Sequence, residues 1–408
     1  LRAESITFRR AVCPAPVCVP SRTAVFSGLS PERTGCYLNG KNPWEEVAQL
    51  KGIESMPECF RRSGYLTWGR GKLTHAPLGP THDAWEIQGP GGNFGPFPPE
   101  DEQYSGNFWG VSEWTKPDTE FPDVRNANAA IDFLKQDHDR PFFMVLGLWR
   151  PHTPFTAPKR FFDAIDPATI PLPTPGFRAD DLDDVPAGGR ELAAVYGPRW
   201  EADGASNPEH WRRLLHGYLA CTAFADDSLG RVVDALDTSA HAEDTIVIFW
   251  SDNGFHVGEK SHFGKYTLWE LSANTPIVIR LPGKAHAGTT CGAPVSAQDL
   301  YPTLIARCGL EKPEHVLSGH SFSGLMENPD APWPHAGRTF YGEGLVTLRS
   351  GTHRYIRYPD GAEELYDSGR DPHEFHNLAE DPARKDVLET FRKELPERYA
   401  PSIGGRRG

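Results

Sequence analysis

The sequence has no run approaching the ~18 consecutive apolar residues that a membrane-spanning helix requires, so no segment reads as a transmembrane span. It also lacks an excess of basic residues: 42 Lys and Arg stand against 55 Asp and Glu, a formal net charge of −13. That balance disfavours non-specific nucleic-acid binding, and an anionic ligand would need a local basic pocket. Cysteine is neither abundant nor regular. Seven of them, an odd number at scattered spacings, match no disulfide framework and no zinc-ligand pattern. Internal repeats and low-complexity tracts are absent. The first residue is Leu1, with neither an initiator methionine nor a charged-then-apolar leader, so the natural N-terminus is expected to be missing and the compartment stays open. What is present is a globular composition, 38% hydrophobic and 24% charged over 408 residues, long enough for one large domain with a smaller one appended.

Strand-like and helix-like segments alternate through most of the chain. Ile6-Thr7-Phe8 reads as a short strand. Ser55-x-x-Glu58 is a capping box that opens a short helix over 56–63, and a strand over 65–68 then delivers Gly71-Lys72-Leu73-Thr74-His75 to a strand end. Residues 123–136 carry Ala127, Ala130, Ile131 and Leu134 at helical spacing. The continuous apolar run 142–148 follows, the mark of a buried parallel strand. A helix over 211–236, strands over 245–250 and 277–281, and a helix over 299–308 closed by Gly309 continue the alternation. This order predicts an α/β fold over residues 1–330, with a mostly parallel central sheet flanked by helices. From 331 to 408 the pattern changes to short strands over 338–341, 345–349 and 353–358 and a terminal helix over 383–398, which predicts a small C-terminal domain containing an antiparallel sheet. The proline-rich connections 77–122 and 156–208 are expected to wall a pocket.

Several residues in this frame can carry chemistry. Cys18 precedes Pro20 and a helix-compatible segment, so a group there feels the positive end of a helix dipole. Arg22 can steady an anion beside it. A buried structural cysteine accounts for the same residues on composition alone. Lys72 and His75 stand just past one strand, and His152, in Arg150-Pro151-His152-Thr153-Pro154-Phe155, just past another. Each by itself is as consistent with a plain loop. Asp252-Asn253-Gly254 ends a strand with two hard oxygen donors of the kind that Ca²⁺ or Mg²⁺ prefers, or forms an ordinary turn.

Taken together, Cys18-x-Pro20-Ser21-Arg22 with Phe26-Ser27-Gly28 resembles the signature of the formylglycine-dependent sulfatases of the alkaline phosphatase superfamily. Gly64-Tyr65-x-Thr67 leading to Gly71-Lys72-x-x-His75 resembles their second signature. Pro151-His152-x-Pro154-Phe155, Asp252-Asn253-Gly254 and Phe263-Gly264-Lys265-Tyr266 are similar to further segments of the same family. With Leu365-Tyr366-Asp367, Asp371-Pro372 and Asn377-Leu378 the likeness extends to about residue 380, and it is strongest to the iduronate-2-sulfatase branch.

The resemblance implies a sulfate-ester hydrolase in which a formylglycine-generating maturation enzyme oxidises Cys18, and the hydrated aldehyde supplies the nucleophilic hydroxyl. It implies that Arg22 helps hold the nucleophilic hydroxyl, that Lys72 and Lys265 bind the sulfate, that His75 and His152 handle protons, and that one divalent metal, Ca²⁺ or alternatively Mg²⁺, sits at Asp252 and Asn253. The implied substrate is a sulfated small molecule or carbohydrate, and family analogy suggests export. Phosphodiester or phosphonate monoester hydrolysis, which shares the fold and the aldehyde, is the alternative activity. One departure stands out. The family also holds its metal with two adjacent aspartates upstream of the cysteine, and no Asp-Asp precedes Cys18; Asp180-Asp181 and Asp183-Asp184 fall in a loop and Asp226-Asp227 in a helix. The expectations are a sulfatase chain without its first strand, or a metal-deficient relative that binds sulfoglycans without turnover. Cys13, which no Ser-Arg follows, reads as structural.

Overall fold

A computed structural model describes residues 1–79, 82–104, 109–196 and 207–405; parts of both expected pocket-wall connections, at 80–81, 105–108 and 197–206, lie outside the described residues. In chain order the strands are β1 (Ile6–Phe8), β2 (Leu66–Gly71), β3 (Ile87–Gln88), β4 (Val111–Trp114), β5 (Phe142–Gly147), β6 (Phe155–Pro158), β7 (Val247–Trp250), β8 (His256–Val257), β9 (Phe263–Gly264), β10 (Ile277–Arg280), β11 (Thr290–Cys291), β12 (Gly337–Gly342), β13 (Leu345–Arg349), β14 (His353–Arg357) and β15 (Glu363–Asp367).

The body is built on two sheets. The order β3-β2-β5 is parallel throughout, and β11-β1-β10-β7 pairs β1 with β11 in parallel while β10 runs antiparallel to both its neighbours. Helices flank them. Ser55 and Glu58 form the expected capping box of the helix Met56–Arg62. The helix Pro122–Leu134 places Ala127, Ala130, Phe133 and Leu134 against Trp68 of β2 and against Val232 and Leu236 of the long helix Pro208–Asp237, so the 3.6-residue spacing read from the sequence is the buried stripe. Asn207 caps that long helix by accepting from the amide of His210.

Two strands differ from expectation. The apolar runs at 142–148 and 245–250 predicted buried strands, yet β5 and β7 are half-buried along nearly their whole length, whereas β10 is buried throughout. Among the described residues β5 pairs only with β2 and β7 only with β10, so each keeps an open edge. Their side chains nonetheless alternate into the same two clusters. Phe143 and Val145 join Ile246, Ile248 and Trp250 in one, and Phe142, Met144 and Leu146 join Val247 in the other. The two sheets therefore share one layer, with β5 and β7 on either side of an interval in it.

The C-terminal region is the predicted antiparallel sheet, β12-β13-β14-β15, with a fourth strand that the turn pattern did not announce. Its terminal helix is shorter than expected, Lys385–Lys393 rather than 383–398, because Pro396 withholds an N–H and pushes the residue before it out of helical geometry. Phe391 stacks on Tyr355 at 5.4 Å and fixes the helix to the sheet. The sheet is tied to the body next to the segment that carries Cys18: the Phe340 amide donates to the Pro14 carbonyl at 2.8 Å, and the Thr339 hydroxyl to the Cys13 carbonyl at 2.6 Å.

Candidate active site

Strand ends of both sheets converge on Cys18. β2 and β5 finish side by side with Gly71 opposite Gly147, and the Lys72 amide donates to the Gly147 carbonyl at 2.9 Å. Glycine is required at both positions. A Cβ on Gly71 would fall 1.9 Å from the Gly147 oxygen, and one on Gly147 would fall 1.9 Å from the Lys72 oxygen. This close approach brings Lys72 and the 149–152 segment to one place. Cys18 opens a helix, Cys18–Ser27, in which nine of the ten residues are buried, so it is wrapped on all sides and shows no amphipathic stripe. Its cap residue, Val17, has no side-chain cap; Asn39 Oδ1 instead accepts from the Val19 amide at 2.9 Å and satisfies one of the free donors. Lys265 follows β9 and is held through its neighbour, whose amide, that of Tyr266, donates to the Pro16 carbonyl at 3.2 Å.

The resulting geometry is compact. Lys265 Nζ lies 2.8 Å and Lys72 Nζ 3.3 Å from Cys18 Sγ, and the thiol lies 3.8 Å from Asn253 Oδ1. Arg22 Nε donates to Asp252 Oδ2 at 2.6 Å, its guanidinium also reaches the Lys72 and Leu73 carbonyls, and Lys72 Nζ stands 3.5 Å from the same carboxylate. Cys18, Lys72, Lys265 and Asp252 are all buried. Burial and the neighbouring Asp252 carboxylate both oppose a thiolate at Cys18, but Lys265 and Lys72 outweigh them and hold the thiol well below its ordinary range. Burial likewise opposes ionisation of Asp252, and Arg22, Lys72 and Lys265 overcome it. His152 lies within hydrogen-bonding reach of Cys18, and burial together with Lys265 depresses its imidazole to about 4.

Of the residues singled out in the sequence, Cys18, Lys72, His152, Asp252, Asn253 and Lys265 come together. Arg22 is present but is turned toward Asp252 and two carbonyls rather than toward the sulfur. His75 makes no hydrogen bond to Cys18. It sits at a φ of 65° with its ring edge-on to Phe94 at 5.8 Å and to Trp149 at 6.1 Å, and its Nδ1 is buried without a hydrogen-bond partner among the described residues. The sequence reading passed over Asn39, and it passed over Asp123, whose carboxylate accepts from the amides of Trp149 and Arg150 at 2.8 and 3.0 Å and so fixes the turn that carries His152. Its Pro-Asp setting at a helix start gave a capping signal but no hint of a long-range partner.

Asp252 and Asn253 offer two oxygen donors, whereas Ca²⁺ takes six to eight and Mg²⁺ an octahedral set. Among the described residues no group of three or more His, Cys, Asp or Glu side chains is arranged to hold a metal, and the Asp252 carboxylate is already paired with Arg22 and Lys72. These residues by themselves do not complete a cation cage.

Comparison with known proteins agrees with the geometry. A family model described as Sulfatase matches residues 1–310, and one described as N-sulphoglucosamine sulphohydrolase, C-terminal, matches residues 258–400. A sulfatase of Formosa agariphila is 34% identical over 98% of this chain and 81% of its own length. Iduronate 2-sulfatase of Mus musculus is 26% identical over 74% of this chain and 57% of its own length. A structure solved in complex with its substrate D-glucosamine-2-N,6-O-disulfate superposes with a TM-score of 0.72 at 20% identity, covering 97% of this chain and 90% of that one.

Proposed function

We propose, for a chain that belongs to the sulfatase family, that Cys18 is the precursor of the nucleophile and that the substrate is a sulfated carbohydrate or another small organic sulfate ester. The observation that carries this reading is the pair of ammonium groups, Lys265 and Lys72, converging at 2.8 and 3.3 Å on one side-chain atom at a helix N-terminus. Formylglycine made from that cysteine supplies a hydroxyl for attack on sulfur. Cys18 is 1% exposed, so a maturation enzyme has to reach it before the chain folds around it.

The residues around that atom have distinct work. Lys72 and Lys265 pair with the sulfuryl oxygens and stabilise the negative charge that grows on them, a preorganised contribution that needs no reorientation at the moment of reaction. Arg22 keeps Asp252 in place and shares that carboxylate with Lys72. His152 stands where it can give a proton to the departing alcohol. In the resting pocket Lys265 helps hold it neutral, and an anionic ester seated between the lysines offsets that field and makes the imidazole easier to protonate. Asp123 orients the His152 turn through two backbone amides.

The reading is tested by producing the chain together with a formylglycine-generating enzyme, determining the mass of the Cys18 peptide, and comparing turnover of 4-nitrophenyl sulfate and 4-nitrophenyl phenylphosphonate. Oxidised Cys18 with preferential sulfate turnover is expected. Oxidised Cys18 with preferential phosphonate turnover would reassign the activity, and a thiol that stays unmodified would remove the nucleophile.

A further inference from the structure

We infer that Phe94 is a specificity-determining residue, an aromatic platform for the ring that carries the sulfate, and that Arg150 is the positioning residue that holds it there. The inference rests on the sulfatase reading of the Cys18 pocket and extends it to the organic part of the substrate. The groups that would take the sulfate lie on a buried floor: Cys18, Lys72 and Lys265 are 1%, 4% and 6% exposed. A sulfate seated there directs its ester oxygen and carbon skeleton outward, toward residues that are only half-buried. Phe94, His152, His75 and Asn253 are half-buried there; the Phe94 and His152 ring centroids lie 4.5 Å apart, and Lys72 Nζ lies 5.7 Å from the Phe94 centroid. With His152 assigned to the departing alcohol, the skeleton leaves the floor on the side of the Phe94 ring.

The loop that carries Phe94 is held with unusual thoroughness for a stretch of glycine and proline. Arg150, 3% exposed, donates to the carbonyls of Phe94 at 2.8 Å and Pro96 at 3.2 Å, and its Nε donates to Thr156 at 2.8 Å. Trp149 Nε1 and Asn126 Nδ2 both donate to the Gly91 carbonyl, at 2.8 and 3.3 Å. Gly92, at a φ of 83°, passes so close to Pro122 that a Cβ would fall 2.4 Å from it. Trp149 then supports the Phe94 ring edge-to-face at 4.5 Å. Burying a guanidinium is costly, and here its donors are used on the backbone of a loop rather than on a carboxylate alone. A flexible loop would meet a ring only after ordering; this one is ordered beforehand, which reduces what binding costs. The ligand chemistry that a fixed aromatic face recognises is the flat face of a pyranose or aryl ring, in preference to an open chain.

The test is calorimetric, in a Cys18→Ala background that removes the reacting atom and prevents turnover, with inorganic sulfate, ethyl sulfate and phenyl sulfate as probes. Phenyl sulfate is expected to bind about tenfold more tightly than ethyl sulfate, the scale of one good aromatic contact. Phe94→Ala should erase that preference while leaving inorganic sulfate affinity unchanged, and Phe94→Trp should keep it. Arg150→Lys should shrink the preference, again without changing sulfate affinity, which a loss of general stability would not do. A ring preference that survives Phe94→Ala, or an equal loss for all three probes, overturns the inference. Failure of inorganic sulfate itself to bind would overturn the anion-pocket reading and the platform with it.

Discussion

Two buried regions of this protein are made from the same side chains and are put to opposite use. Around Cys18, Arg22, Lys72 and Lys265 are set against the single carboxylate of Asp252, and two of the cations point at one atom. Between the body and the C-terminal sheet, each cation instead has a carboxylate partner. Lys260 Nζ lies 2.7 Å from Asp181, Arg354 joins Glu270 and Glu374, Arg349 lies 3.3 Å from Glu270, and the buried Glu364 carboxylate accepts from Tyr358, Tyr366 and, at 2.8 Å, Trp269. The second region acts as a clamp, tying β13–β15 to the segment 259–270 that carries Lys265. The first is incomplete until an anion arrives. Residue type alone does not separate a site from a strut; the local balance of charge does.

The comparison breaks most visibly if the clamp is opened. Arg354→Met leaves the buried Glu374 without that cation and leaves the half-buried Glu270 with Arg349 alone, and removing one partner of a buried pair typically costs about 3–5 kcal/mol. Chemical denaturation should show that loss, while KM of the folded fraction for an aryl sulfate stays within about twofold of wild type, since the residue touches no group in the Cys18 pocket. An equal loss of stability on mutating the pocket lysines would erase the distinction.

Lys265→Ala is the complementary change. Loss of one preorganised donor should lower kcat by about 10²–10³-fold. Stability should fall by less than in Arg354→Met, because the lost support of Cys18 and Asp252 is partly offset by relief of the repulsion between Lys265 and Lys72. Steady-state kinetics and thermal melting on the same preparation check both halves.

This contrast was only partly visible in the sequence. The resemblance of short segments to the sulfatase signatures singled out Cys18, Lys72, His152, Asp252, Asn253 and Lys265, because each of those segments is local and leaves a local pattern. Three kinds of information were not local. Arg22 was read as facing Cys18, four residues back, but its partner is Asp252, 230 residues away, and only the folded chain reveals it. The charged clamp joins positions 181, 260, 270, 354 and 374, none of which forms a motif. The runs 142–148 and 245–250 told of apolar strands but not of how many neighbours each would have, so half-burial of β5 and β7 could not be read from them. Gly71 entered only through the Gly71-Lys72-x-x-His75 motif and Gly147 only through the run 142–148; the register that sets them opposite each other gives the reason for both.

The smallest predicted effect separates the regions by the sign of their response to pH. Burial raises Glu374 from an ordinary 4.5 to about 7, so between those values the folded protein holds a proton that the unfolded chain releases, and stability falls as pH rises through that window. Burial and Lys265 lower His152 from 6.5 to about 4, so there the unfolded chain holds the extra proton, and stability rises with pH across that overlapping range. Other buried groups titrate here too, Asp299 raised to about 7 by burial and His256 and His262 lowered by it, so the readout is each variant's slope relative to wild type. Glu374→Gln removes one falling contribution, so its denaturation free energy should have a more positive pH slope than wild type even though its absolute level drops. His152→Gln removes one rising contribution and should make the slope more negative than wild type. Urea titrations of all three proteins at three pH values between about 4.5 and 6.5 suffice, and slope changes of the same sign in both variants would show that the clamp and the pocket are not poised in opposite directions.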